Sequence, residues 1–148
     1  MKIVLVNPEI PPNTGSIGRL CAATGTSLVL VEPLGFSLDD RYLKRAGLDY
    51  WPWIDVTVTG DWREAIAGPG KPWLFTAKAE RSFQKVEYGP DDVLVFGCET
   101  KGLPREILEE YSEQQVTIPM ENENIRSLNL AQCAAIGLYE MRRQLGVG

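Results

Sequence analysis

Lys2-Ile-Val-Leu-Val6 and Ser27-Leu-Val-Leu-Val31 are two short runs of strand-forming residues, and what lies between them decides the fold. The first run is followed by Asn7-Pro-Glu-Ile-Pro-Pro-Asn-Thr-Gly15, a stiff segment that cannot continue a central strand. From Thr14 to Thr24 the positions Ile17, Leu20, Cys21 and Thr24 recur at helical spacing, and Gly25 supplies a C-terminal stop. Strand, loop, helix, strand is a crossover unit, which favours parallel pairing of the two strands.

Further along the chain the alternation continues. Ser37 stands three residues before Asp40, close to a capping box for a helix through Tyr42, Leu43 and Ala46. Strands are expected over 55–59, 72–77, 92–96 and 116–118, with a short helix over 61–67 and another from Pro104 to Glu110. The stripe Leu130, Ala134, Gly137 or Leu138, Met141 and Leu145 marks a last helix ending before Gly146, with Arg142 and Arg143 where the dipole favours cations. No internal repeat or linker interrupts residues 1–148, so one three-layer α/β domain with a mostly parallel sheet is expected.

The composition excludes several chemistries. There is no histidine, and the three cysteines, Cys21, Cys98 and Cys133, are widely spaced without a C-x-x-C pair. Zinc sites of the Cys/His kind and every imidazole-based mechanism are therefore removed, no metal is expected, and the cysteines read as buried reduced thiols. No stretch approaches a membrane span and no leader precedes the first strand, so a cytoplasmic protein is expected. The net charge is −5, yet it is unevenly placed. Glu106, Glu109, Glu110, Glu113, Glu121 and Glu123 form a run without a basic residue, whereas Arg41, Lys44 and Arg45 cluster elsewhere. Phosphate binding needs a local positive surface, so RNA stays open as a partner.

Open α/β sheets place their sites in loops at the C-terminal ends of strands. Three such loops stand out: residues 7–15, Gly97-Cys-Glu-Thr-Lys-Gly-Leu-Pro104, and Pro119-Met-Glu-Asn-Glu-Asn-Ile-Arg-Ser-Leu-Asn129. None carries a dinucleotide or nucleotide-triphosphate fingerprint. Each polar residue also has an ordinary structural reading: Asn13 as a helix cap, Arg19 as a solvent-facing cation, Glu99 as a partner for Lys101 or Arg105, Ser127 or Asn129 as the cap of the last helix.

Taken together, however, the sequence resembles the SPOUT class of RNA methyltransferases, and within it the tRNA (cytidine/uridine-2'-O) wobble-ribose methyltransferases. The resemblance rests on Pro8-Glu-Ile-Pro-Pro-Asn-Thr-Gly-Ser-Ile-Gly-Arg-Leu-Cys21, Glu32-Pro-Leu-Gly-Phe36, Lys44-Arg-Ala-Gly-Leu-Asp-Tyr50, Phe96-Gly-Cys-Glu-Thr-Lys-Gly-Leu-Pro104, Ile118-Pro-Met120, Arg126-Ser-Leu-Asn-Leu130 and Tyr139-Glu140, in family order over nearly the whole chain. Two departures are mild: the family often carries proline or serine where Cys98 stands, and arginine where Lys101 stands.

The resemblance implies a C-terminal deep trefoil knot, which periodicity alone would never suggest because knotted folds are rare. It implies S-adenosylmethionine as methyl donor, contacted by Leu74, Thr76, Ala77, Gly97, Glu99, Gly102, Ile118, Met120, Ser127 and Leu128. Catalytic roles fall to Arg19, Glu99, Ser127 and Asn129, with Arg19 orienting the ribose hydroxyl or an adjacent phosphate. Arg41, Lys44, Arg45, Arg126 and Tyr139 become RNA contacts to a tRNA anticodon stem-loop. A homodimer is implied as well, and the small residues Ala134, Ala135 and Gly137 suit a close interface. The resemblance implies as substrate the wobble nucleotide, cytidine or modified uridine, of leucine isoacceptors. The other readings are a ribose methyltransferase for another RNA and a non-catalytic RNA-binding protein on the same fold.

Overall fold

The structure, a computed structural model, describes residues 1–147 apart from the side chains of 46–49. Its centre is a six-stranded sheet built from β1 (Lys2–Val6), β2 (Ser27–Val31), β3 (Val56–Thr59), β4 (Pro72–Phe75), β5 (Val93–Phe96) and β6 (Gln115–Val116). The order is β3-β2-β1-β5-β4-β6, and every neighbouring pair is parallel. β1 lies between β2 and β5, with Val4 opposite Val29 on one side and Val95 on the other.

Parallel strands covered on both faces must be apolar at every position, and the register sorts these side chains by parity. Ile3, Leu5, Leu28, Leu30, Leu94 and Phe96 point to one face, where they meet α1 (Pro11–Thr24) and α5 (Leu130–Gln144) through Ile17, Cys21, Ala134, Leu138 and Met141. Val4, Val6, Val29, Val31, Leu74, Val93 and Val95 point to the other, against α3 (Trp62–Ile66) and α4 (Arg105–Glu110). The remaining helix, α2 (Arg41–Gly47), packs along α1 and leads straight into a 3₁₀ stretch, Leu48–Trp53.

α1 and α5 run side by side in the same direction. Asn129 at the start of α5 bonds Asn13 in the first turn of α1, and Arg142 near the end of α5 reaches the carbonyl of Thr24. To enter α5, residues 117–129 must return from β6 at the sheet edge to the central strands.

Several local expectations need correction. Helix α1 begins at Pro11 rather than Thr14, because two prolines fit the first turn, where their missing N–H groups are not needed. Asn13 is therefore inside the helix, not its cap, and no side chain caps that end. Asp40, not Ser37, caps α2 by accepting from the N–H groups of Tyr42 and Leu43. Ala46, expected to extend that helix's apolar stripe, lies among the side chains outside the described set. Ala134 and Gly137 face the sheet rather than outward: a Cβ on Gly137 would sit 2.8 Å from Cζ of Phe75. Their smallness brings α5 down onto the strands, while Ala135 is half-buried on the same helix. Of the cysteines only Cys21 is buried, where loss of solvent pushes its thiol up to about 12; Cys98 and Cys133 are half-buried.

Candidate active site at the C-terminal edge of the sheet

The sheet order jumps between β1 and β5, and the loops leaving such a switch point diverge to form a crevice. A cleft of about 880 Å³ opens there, at the C-terminal ends of β4, β5 and β6. Its walls are residues 75–78, 96–103, 117–118 with Met120, and 126–130, closed on one side by Ile10 and Asn13 of the α1 entry and by Cys133 of α5.

The β5 loop is folded tightly on itself. Cys98 and Gly102 exchange backbone hydrogen bonds at 3.3 and 3.0 Å, and Gly102 has φ of 69°, a left-handed value that favours glycine. A Cβ on Gly97 would fall on the backbone of Gly102 and Leu103. Both glycines are thus required by the loop's own closure before any ligand is considered.

Glu99 ties this loop to α1. Its carboxylate accepts from the N–H groups of Glu9 (2.8 Å) and Ile10 (2.7 Å), and from Nδ2 of Asn13 (3.2 Å). Asn13 Oδ1 in turn accepts from Nδ2 of Asn129 at 3.0 Å, while Asn129 Oδ1 caps α5 by accepting from Ala131 and Gln132. A reciprocal tie runs from Thr100, whose hydroxyl and N–H donate to Glu9 at 2.7 and 3.1 Å. Those bonds, chiefly from the hydroxyl, hold the Glu9 carboxyl below its usual range. Three segments remote in sequence are therefore fastened at one corner of the cleft.

All of the residues expected to contact cofactor line this cleft except Leu74. Leu74 is fully buried in the core on the α3/α4 face, because its place in β4 points it away from the loops that follow. Ser127 and Arg126 are exposed on the wall, whereas Asn129 and Glu99 spend their polar atoms on the network just described. Among the described residues the Ser127 hydroxyl has no hydrogen-bond partner, and neither do the backbone N–H groups of Ile118 and Leu128.

Arg19 is not on this wall. It lies six residues beyond Asn13, ~9 Å along the helix and roughly 240° around it. Its guanidinium sits over the ring of Tyr50, 4.9 Å from the centroid. Tyr139 is likewise displaced, exposed on α5 with Arg142 over its ring. Arg41, Lys44 and Arg45 are exposed on α2. Reading the sequence missed Asn13 as the hub of the network, and missed Lys78 and Lys101 as basic residues of the cleft. A polar residue in the first turn resembles a cap in sequence, and only the β5 loop opposite it reveals its other use.

Among the described residues no cluster of candidate ligands could hold a metal ion and no helix is long and apolar enough to cross a membrane. The SpoU rRNA Methylase family matches residues 1–139. The tRNA (cytidine(34)-2'-O)-methyltransferase of Saccharophagus degradans is 50% identical, over 97% of this chain and 95% of that protein. A solved structure described as "Structural insights into the 2-OH methylation of C/U34 on tRNA" superposes with a TM-score of 0.92 at 40% identity, covering 99% of this chain and 97% of that one. An AdoMet-bound rRNA methyltransferase from Sinorhizobium meliloti gives a TM-score of 0.84 at 25% identity over 97% of this chain and 56% of its own length. The three-layer architecture with its parallel sheet matches the SPOUT fold, which is known for a trefoil knot. By sequence and by fold, the chain belongs to the SpoU rRNA methylase family of RNA methyltransferases and is closely related to its tRNA (cytidine(34)-2'-O)-methyltransferases.

Proposed function

We propose that this protein transfers a methyl group from S-adenosylmethionine to the ribose 2'-hydroxyl of the wobble nucleotide of tRNA, cytidine or modified uridine, in leucine isoacceptors. It does so in the cytoplasm as a homodimer. The observation that carries the reading is the convergence of the loops after β4, β5 and β6 on one cleft fastened by the Glu99–Asn13–Asn129 network.

The residues present fit that donor. Ile118, Met120 and Leu128 supply apolar walls for an adenosine, and the unpaired N–H groups of Ile118 and Leu128 can read its edge without charged side chains. The donor supplies an electrophilic methyl on a positively charged sulfur. What the protein must add is alignment of the ribose oxygen with that methyl, which is a matter of positioning. Ser127 presents a free hydroxyl at the cleft, suited to hold the ribose. Among its described lining residues Lys78, Lys101 and Arg126 are the basic groups, and the one carboxylate, Glu99, is engaged by three donors. The mouth therefore suits a phosphate backbone.

Arg19 cannot serve the cleft of its own chain from its position over Tyr50. Exposed on α1, it is read as serving the cleft of a second copy. A guanidinium there orients the ribose hydroxyl or its phosphate through its fork of donors. Methyl transfer from labelled cofactor to purified tRNA, with the modified nucleotide mapped, tests the proposal. Methylation of leucine tRNA at the ribose of position 34 supports it, and a label on a base or at another position overturns it.

A further inference from the structure

A second hollow of about 310 Å³ lies outside the cleft, lined by Arg19, Ala22, Ala23, Tyr50 and Trp53. Trp53 is 77% exposed, far more than a ring of that size gains from folding alone. Its neighbours explain how it is held there. Within the same 3₁₀ stretch Trp51 packs over Gly18 of α1, where a Cβ would come within 2.9 Å of the indole, and Ile54 is buried beside it. With Trp51 and Ile54 anchored inward, Tyr50 and Trp53 are presented outward on a fixed backbone. Ala22 and Ala23 leave a low floor between them.

We propose that Tyr50 and Trp53, with Arg19 lying over Tyr50, form a stacking slot for an unpaired nucleobase of the RNA. The proposal rests on the RNA-methyltransferase reading for the identity of the chain being bound, and on the slot's own chemistry for the mode of binding. Aromatic faces and a guanidinium stack on any base, and they do so where the base is not already stacked in a helix. No carboxylate lines the hollow among the described residues. Arg41, Lys44 and Arg45 are exposed on α2, the helix that leads into this 3₁₀ stretch, and offer positive charge to the RNA phosphates. A second copy of the chain is the poorer occupant, because a two-fold contact centred here would press this cationic cluster against itself.

The test measures binding of a fluorescent anticodon stem-loop RNA and of a fully paired duplex of the same length. Trp53→Ala should weaken stem-loop binding by about tenfold or more, with Trp53→Phe recovering most of it. The duplex affinity should not change. The slope of log Kd against log salt should also stay unchanged in Trp53→Ala, because stacking releases no counterions, whereas Arg45→Ala should reduce it by about one phosphate. Unchanged stem-loop affinity, or an equal loss for the duplex, would overturn the slot. A fall in sedimentation mass for Trp53→Ala would overturn it too, giving the indole to a contact between copies. Because the readout is binding, a protein that methylates some other nucleotide would fail the wobble assignment and still pass here.

Discussion

Asn13 Nδ2 donates to Glu99 Oε2 across 3.2 Å, joining the first turn of α1 to the loop after β5. The same carboxylate holds the backbone N–H groups of Glu9 and Ile10 just ahead of the helix, where its charge suits the dipole. Glu99 is accordingly proposed as a positioning residue, its carboxylate engaged by three donors.

Glu99→Gln should therefore act on structure first. An amide has one acceptor oxygen and turns its NH₂ toward donors, so at least one of the three bonds is lost and a donor is left without a partner. A loss of about 1–3 kcal/mol in unfolding free energy is expected, with lower cofactor affinity because the β5 loop forms its wall. Denaturant unfolding and cofactor calorimetry on the same variant check both. Wild-type stability together with abolished turnover would instead make Glu99 a chemical group.

Arg19→Ala should lower single-turnover methyl transfer by at least ~10²-fold, about 2.7 kcal/mol, with cofactor affinity nearly unchanged. Arg19→Lys should rescue only partly, since one ammonium cannot replace the guanidinium fork. Mixing Arg19→Ala with Ser127→Ala protomers distinguishes the two placements. If Arg19 serves the partner's cleft, each mixed dimer regains one intact site, and roughly a quarter of wild-type activity returns in a random equimolar mixture. Service within one chain would also leave both sites of a mixed dimer defective, each by a single substitution, so no activity returns.

The acidic run divides in space. Glu106, Glu109, Glu110 and Glu113 lie on or just after α4, on the sheet face opposite α1 and α5, with Glu109 paired to Arg105 at 2.7 Å and Glu110 to Arg63 at 3.4 Å. Glu121 and Glu123 are exposed on the loop between Met120 and Arg126, both cleft residues. Reversing Glu109 and Glu110 to lysine should leave turnover unchanged and cost at most about 1 kcal/mol for each exposed pair. Reversing Glu121 and Glu123 should tighten tRNA binding at low salt, an effect that fades as ionic strength rises. Filter-binding titrations at two salt concentrations separate the pairs, and identical behaviour would contradict this division.

Glu140 gives the stability a pH dependence of known sign. Its buried carboxylate accepts from Arg143 at 2.8 and 2.9 Å and from Gln144 at 3.0 Å, and those bonds, the Arg143 ones first, hold its pKa below the ordinary 4.5. Gln144 also bonds the backbone of Val86 and Tyr88, which anchors the end of α5. The stabilisation is complete above about pH 4.5 and is lost as pH falls through the lower folded-state value. Glu140→Gln should be less stable than wild type at pH 7, with the gap closing toward pH 3 in urea unfolding. A gap of constant size would show that ionisation of Glu140 does not contribute.

The layered α/β fold was legible because the strands are buried on both faces, and continuous runs such as KIVLV, SLVLV and VLVF admit few other placements. The last helix was legible for the same kind of reason, its stripe facing the sheet and Asn129 capping it. Boundaries slipped where two readings of one residue compete locally: Pro11 and Pro12 block a strand yet open a helix, and Ser37 and Asp40 both suit a cap.

A chain without histidine has no imidazole to offer, and the family resemblance named many of the residues that line the cleft. What tertiary structure alone decided is which of those residues are free to act. Glu99, Asn13 and Asn129 are saturated by one another, Leu74 turns to the opposite core, and Arg19 rests on Tyr50 away from its own cleft. The physical reason is range. Periodicity and capping are written within a few consecutive residues, whereas a hydrogen bond between positions 13 and 129, or the direction of an arginine on a helix, depends on which distant segments the packed sheet brings alongside.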